Sequence, residues 1–262
     1  VRVSPKEKGW AGDNGSDGLA EHDLAFLASD EARSARLLLE YLRAEVRMQS
    51  AQIRSTVVVF GSARIPAPGE SAGNGHDPAI AKWSPYYEEA RLLAAELAAR
   101  CSGPHGRDFV VMTGGGPGIM EAANRGASEA GEITIGLNIE LPHEQKLNRY
   151  VPPNWSIQFH YFALRKLHFM MRARALVAFP GGYGTLDELF EALTLVQTGK
   201  IEQIPIVLVG AEFWRRAIDW DYLVGEGFIT RADRDLITIV ESGSAAARQI
   251  LDCGQIAASG GR

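Results

Sequence analysis

Residues 179–193, FPGGYGTLDELFEAL, begin like the end of a buried strand and finish like an amphipathic helix. Between the two lie Gly181, Gly182, Tyr183, Gly184 and Thr185, and the acids Asp187 and Glu188 follow just inside the helix. A turn this rich in glycine lets backbone N–H groups come close to an anion, and the helix N-terminus adds partial positive charge. The run before it, residues 176–179, is almost entirely apolar, as in a strand covered on both faces.

Working outward, the same strand-then-helix pattern recurs. Strands are expected at 56–60 (TVVVF), 109–112, 133–137, 204–209 and 236–240. Helices are expected over about 29–53, 85–100, 118–130, 160–172 and 212–224, in the second half of the 179–193 stretch, and from 241 to about 251. Residues 138–156 read as irregular, and 66–84 (PAPGESAGNGHDPAIAKWS) as a Pro/Gly-rich insertion. Alternating strands and helices imply right-handed crossovers, hence an α/β protein: a doubly wound, mostly parallel, Rossmann-like sheet with helices on both faces. Residues 1–28 read as a flexible tail and 29–262 as a single domain. Within the first long helix Leu38, Leu42, Val46 and Ile53, flanked by Leu37 and Tyr41, form an apolar stripe. It is expected to pack within the chain, a second subunit being the alternative.

The 262 residues carry 46% hydrophobic side chains, enough for a sizeable core, and a net charge of −5. That charge gives no global attraction to nucleic acid or to an anionic membrane. Cys101 and Cys253 fit neither a disulfide framework nor a zinc site. No apolar run is long enough to span a bilayer, and residues 1–18 contain no apolar signal core. A soluble, cytoplasmic protein with no nucleic-acid or membrane partner is expected.

Three strands end in small-residue turns: Gly61-Ser62, Gly114-Gly115-Gly116, and the Gly181–Thr185 stretch. Tight strand-to-helix turns need glycine for steric reasons alone. Three of them on one side of one sheet point instead to a phosphate-bearing, nucleotide-like ligand. The common nucleotide motifs do not fit. Ile119 stands where GxGxxG needs its last glycine, no acid ends the next strand, and GxxxxGK[ST], GxSxG and HExxH are all missing.

The motif PGGYGTLDE at 180–188, with TGGGPGIMEAANRGA at 113–127 and FALRKLHF at 162–169, resembles the LOG (Lonely Guy) family of nucleoside 5′-monophosphate phosphoribohydrolases. The resemblance covers roughly residues 55–240, and YFALRK with DELFEALTLVQTGKI is similar to the longer bacterial branch, some members of which are described as AMP nucleosidases. It implies cleavage of the N-glycosidic bond of AMP or an N6-modified AMP to free base and ribose 5-phosphate, with no cofactor and no metal. It implies a homo-oligomer, hexamer or dimer. It also implies catalytic roles for Arg165 and Glu188. An older label for such sequences is lysine decarboxylase, which nothing in the motifs supports.

On this reading phosphate rests on the N–H groups of Gly182, Gly184 and Thr185, beside Gly181 and the Thr185 hydroxyl. Gly61, Ser62, Gly114, Gly115, Gly116, Met120 and Lys166 complete the binding site, with the base near the 61–63 turn and Met120. Glycosidic cleavage passes through an oxocarbenium-like ribose. Glu188 can hold ribose hydroxyls, stabilise that cation and act as base toward water, and the Arg165 charge is expected to help keep it ionised. Plainer readings compete. Thr185 and Glu188 have the spacing of a capping box. Arg165 and Lys166 suit a solvated helix face, Met120 a core, and His168 a packed histidine. A molybdenum-cofactor carrier on the same fold is the alternative in another class.

Overall fold

The computed structural model describes residues 19–70, 77–103, 106–140 and 147–259. Strand β1 (Thr56–Phe60) is buried at every position, because its β-branched and aromatic side chains fill both faces of a covered sheet. The strands that follow are the antiparallel pair β2 (Ser102–Gly103) and β3 (Gly106–Arg107), then β4 (Val110–Thr113), β5 (Thr134–Ile139), β6 (Ser156–Phe159), β7 (Ala173–Ala178), β8 (Ile206–Val209) and β9 (Ile237–Val240). Seven of them form one parallel sheet in the order β6-β5-β4-β1-β7-β8-β9. The chain runs outward from β1 through β4 and β5 to β6, then returns to β7 on the other side. The reversal between β1 and β7 opens a crevice beyond their carboxyl ends, where such sheets bind ligands.

The helices are α1 (Leu24–Ala28), α2 (Arg33–Ser50), α3 (Pro78–Ala81), α4 (Pro85–Ala98), α5 (Ile119–Glu129), α6 (Phe162–Met171), α7 (Tyr183–Gln197), α8 (Ala211–Ala217), α9 (Trp220–Gly225), α10 (Arg231–Arg234) and α11 (Gly243–Ser259). One face of the sheet (Val58, Met112, Leu176, Leu208) packs on Met48, Phe169, Leu189 and Trp214 from α2, α6, α7 and α8. The other face (Val57, Val111, Val177, Val207) packs on Leu93 and Leu97 of α4, Ala122 of α5 and Ala246 of α11. The expected doubly wound α/β fold is present. Among the described residues no helix is long and apolar enough to cross a membrane.

Four details differ from the sequence expectation. Residues 156–159 form an edge strand, β6, where the sequence reading places no strand, between the irregular 138–156 and the helix from 160. The helix expected over 212–224 is two helices, broken at Ile218 and restarted by Asp219, whose carboxylate accepts from Tyr222 N at 2.9 Å. Residues 19–28 are not a loose tail: a 3₁₀ turn at Ala20–His22 precedes α1, capped by Asp23. Residues 1–18 and 71–76 lie outside the described part. Lastly, Leu38, Leu42 and Val46 face outward, at 57%, 41% and 56% exposure, so the stripe does not pack within the chain. Ala44 and Met48 face the core instead, Ile53 is buried beyond the helix end, and Arg172 clamps Glu45 through two bonds of 2.8 and 2.6 Å.

Candidate active site

A cavity of about 690 Å³ lies across the carboxyl ends of β4, β1, β7 and β8. Gly61, Ser62, Gly114, Met120, Arg165, Gly181, Gly182, Gly184, Thr185 and Glu188 all line it. The loops that carry these residues brace one another. Ser62 N donates to Pro180 O at 3.0 Å, and Ile119 N donates to Ser62 O at 3.1 Å. Gly118 makes this closeness possible. Its φ of 69° is left-handed, and a Cβ there would meet the Ser62 carbonyl and lie 2.9 Å from Ala63 Cα.

Gly115, Gly116 and Lys166 do not line the cavity. Gly115 N is engaged by Thr113 Oγ1 at 2.9 Å, and Gly116 O accepts from Asn148 Nδ2 at 3.0 Å. Both belong to a buried polar network. Thr113 donates to Asn124, Asn124 donates to Thr134, and Asn148 donates to Asn124, at 2.7, 2.7 and 2.9 Å. Lys166 points the other way, into a larger groove of about 1180 Å³ between α6, α7 and residues 200–206.

The N-terminus of α7 forms the cavity floor. Gly182 is its N-cap and supplies no side chain, and Leu186 N donates to Gly182 O at 3.0 Å. Thr185 therefore lies inside the first turn and Glu188 in the second, which excludes the capping box. The first-turn N–H groups, those of Tyr183, Gly184 and Thr185, have no partner within the helix. Thr185 packs against Gly181, where a Cβ would collide with its side chain. Around Gly182 and Gly184 a Cβ would meet nothing within 4 Å, so their backbone is open to a ligand.

Freed from capping, Glu188 is buried at 6% exposure and faces the cavity. Burial pushes its carboxyl up to about 7. The Arg165 charge acts in the opposite direction, as the sequence suggested, but burial outweighs it. Arg165 Nη2 sits 3.5 Å from Glu188 Oε1, within ion-pair range and too long for a good hydrogen bond. The guanidinium lies over the rings of Phe162 and Phe169, at 5.0 and 5.6 Å, and its buried Nε has no hydrogen-bond partner among the described residues. Burial lowers the Arg165 pKa. Asp187 stands on the exposed side of α7, paired with Lys166 at 2.8 Å. His168 is fully buried between Tyr41 and Phe159, a packing residue.

Arg64, Ile80, Trp83 and Phe213 are among the lining residues absent from the sequence-derived set. Only Trp83 carried a signal, as a lone large aromatic in a stretch otherwise rich in Pro, Gly and polar residues.

A family model described as "Possible lysine decarboxylase" matches residues 120–250. A cytokinin riboside 5′-monophosphate phosphoribohydrolase of Arabidopsis thaliana is 29% identical over 171 residues, covering 63% of this chain and 74% of that one. A probable enzyme of the same name from Oryza sativa subsp. japonica is 31% identical over 159 residues, covering 58% and 69%. The chain belongs to the LOG family. The LOG motifs PGGYGTLDE and FALRKLHF thus supply the cavity's α7 floor and its Arg165 wall. Among solved structures, a molybdenum cofactor binding protein from Rippkaea orientalis aligns over 77% of this chain and 96% of its own, at 21% identity and a TM-score of 0.48. A molybdenum cofactor carrier protein from Chlamydomonas reinhardtii aligns over 76% and 99%, at 22% identity and 0.44.

Proposed function

We propose that this LOG-family chain hydrolyses the N-glycosidic bond of AMP, or of an N6-modified AMP such as a cytokinin riboside 5′-monophosphate, to free base and ribose 5-phosphate. One observation carries the reading: Glu188, buried and free of any capping duty, faces the same cavity as the open N–H groups at the start of α7. The 5′-phosphate rests on the N–H groups of Tyr183, Gly184 and Thr185, with the Thr185 hydroxyl beside them. This sets the anomeric carbon near Glu188 and Arg165.

As the C1′–N bond lengthens, positive charge grows on the ribose and the Glu188 carboxylate stabilises it. Water attacks C1′, one of its protons passes to Glu188, and the base leaves with the bonding pair and takes up a proton. The spare Arg165 Nε–H serves the phosphate or the departing base. The names of the plant relatives agree with this reaction class.

The test is incubation with AMP, with adenine and ribose 5-phosphate followed by chromatography. Adenosine, which lacks the anchoring phosphate, is expected to react far more slowly. Tight nucleotide binding with no release of base would favour the carrier reading instead. We infer a homo-oligomer, hexamer or dimer, supported by the outward stripe of Leu38, Leu42 and Val46 and checked by sedimentation. A cytoplasmic setting fits the buried free thiol of Cys101.

A further inference from the structure

The cavity carries few charges. Of the described residues that line it, Arg64 and Arg165 are basic and Glu188 is acidic. Its β8 side is apolar, walled by Ile80, Trp83 and Phe213, the last two with their rings edge to face at 5.6 Å. Arg165 and Glu188 face each other, so with Glu188 ionised the pair adds no net charge. Arg64 is left over. Its side chain is exposed and has no hydrogen-bond or ion-pair partner among the described residues.

The backbone beneath that side chain is fixed. β1 and β7 pair in parallel up to Phe60 and Ala178, so the turns that follow them start side by side. Arg64 N donates to Ser62 Oγ at 3.1 Å, and the Ser62 backbone is itself bonded to Pro180 on one side and Ile119 on the other. The next residue, Ile65, is buried in the core. The loop after β1 thus holds one long cationic side chain at the cavity, beside the Gly181–Thr185 turn that opens α7.

We propose that Arg64 binds substrate: its guanidinium takes the nucleotide's 5′-phosphate against the N-terminus of α7, and so sets the preference of this site for nucleoside monophosphates over nucleosides. The assignment rests on the reaction proposed above. A phosphate monoester carries a charge of about −1.5 to −2 at neutral pH, whereas a helix N-terminus offers only about +0.5. Arg165 does not make up the difference, because Glu188 stands opposite it. Arg64 does, and its planar fork matches two phosphate oxygens at once. The first-turn N–H groups of α7 keep the remaining lone pairs. No other part of a purine nucleotide carries a full negative charge for this cation to meet.

The test titrates AMP, ribose 5-phosphate and adenosine into the Glu188→Gln protein by calorimetry. Ribose 5-phosphate has no glycosidic bond to lose, so its binding is read whatever the reaction proves to be. Adding Arg64→Ala is expected to weaken AMP and ribose 5-phosphate alike, about tenfold or more, the size of effect a charge-assisted pair gives, and adenosine by less than about twofold. Arg64→Lys should restore part of the loss, and more of it at low salt than at high. With Glu188 intact, Arg64→Ala should raise KM for AMP and leave kcat little changed, because the phosphate is held equally before and during bond cleavage. Weakening of AMP but not of ribose 5-phosphate would put Arg64 on the base and overturn the assignment. Equal weakening of adenosine, no weakening of either phosphate ligand, or no binding of either while Arg64 is present would overturn it as well. Discrimination as expected, with no adenine released from AMP by the protein that retains Glu188, would leave Arg64 standing and remove the hydrolase.

Discussion

Lys166 Nζ lies 2.8 Å from Asp187 Oδ2 on the exposed side of α7, while its neighbour Arg165 faces Glu188 inside the cavity. Two adjacent cations on α6 thus meet two adjacent acids on α7, one pair outside and one inside. The pairs should behave differently. Arg165→Ala is expected to lower kcat/KM for AMP by roughly two orders of magnitude, as for loss of a charge that acts on the transition state. Lys166→Ala should leave kcat/KM within about threefold and cost roughly 1 kcal/mol of stability, since its half-buried ammonium also reaches Glu191 at 3.2 Å while the Asp187 carboxylate stays exposed. Steady-state kinetics and chemical denaturation check both.

Glu188→Gln keeps the shape of the side chain and removes its charge. Turnover of AMP should fall by about a hundredfold or more. A variant with near-normal turnover would sink the catalytic assignment.

The raised Glu188 pKa gives two pH effects of opposite sense. The working form is the carboxylate, so kcat/KM should rise with pH and level off above about 7. Stability runs the other way. An acid whose folded pKa is raised contributes fully below its unfolded value near 4.3, and that contribution is lost as pH rises through about 7. Glu188→Gln should therefore unfold at a higher temperature than the parent at pH 8.5, by the equivalent of roughly 1–3 kcal/mol, with the gap narrowing toward pH 4.

His168 has the reverse sign. It is buried, and burial lowers its pKa, with Arg172 reinforcing that shift and Glu45 and the Tyr41 backbone opposing it. Stability from the neutral ring is present above the unfolded value near 6.5 and is lost as pH falls below it. His168→Phe, which keeps the contacts with Tyr41 and Phe159, should be more stable than the parent at pH 5 and nearly equal at pH 8. Melting curves at the two pH values decide it.

Gly184→Ala separates fold from site. The position is helical and open, so alanine should raise stability by about 0.5–1 kcal/mol. The same methyl group stands where phosphate approaches the backbone, and KM for AMP should rise about tenfold or more. Unchanged KM would move the phosphate elsewhere.

Strands legible in the sequence were the apolar ones covered on both faces, such as 56–60 and 204–209. Ser156–Phe159 escaped because an edge strand alternates: Ile157 and Phe159 are buried while Gln158 is exposed. The stripe on α2 was visible but its direction was not, since periodicity gives a face and not its partner. Gly181–Thr185 and Glu188 were readable as one local segment. The capping-box reading failed because α7 starts at Tyr183, ahead of Thr185. Trp83 and Phe213 lie 130 residues apart in the chain, and nothing local in either stretch says that they meet.

The hydrogen-bonded group of Thr113, Asn124, Thr134 and Asn148 has a consequence for anyone reshaping the base preference of this protein. Asn124 alone serves a strand end, the neighbouring strand and the 147–151 loop, so changing any of the four strands a buried polar atom. The β4 rim of the cavity is in that sense closed to redesign. The opposite rim, built of Ile80, Trp83 and Phe213, can change size residue by residue without leaving a donor unmatched, and a library aimed at new bases belongs there.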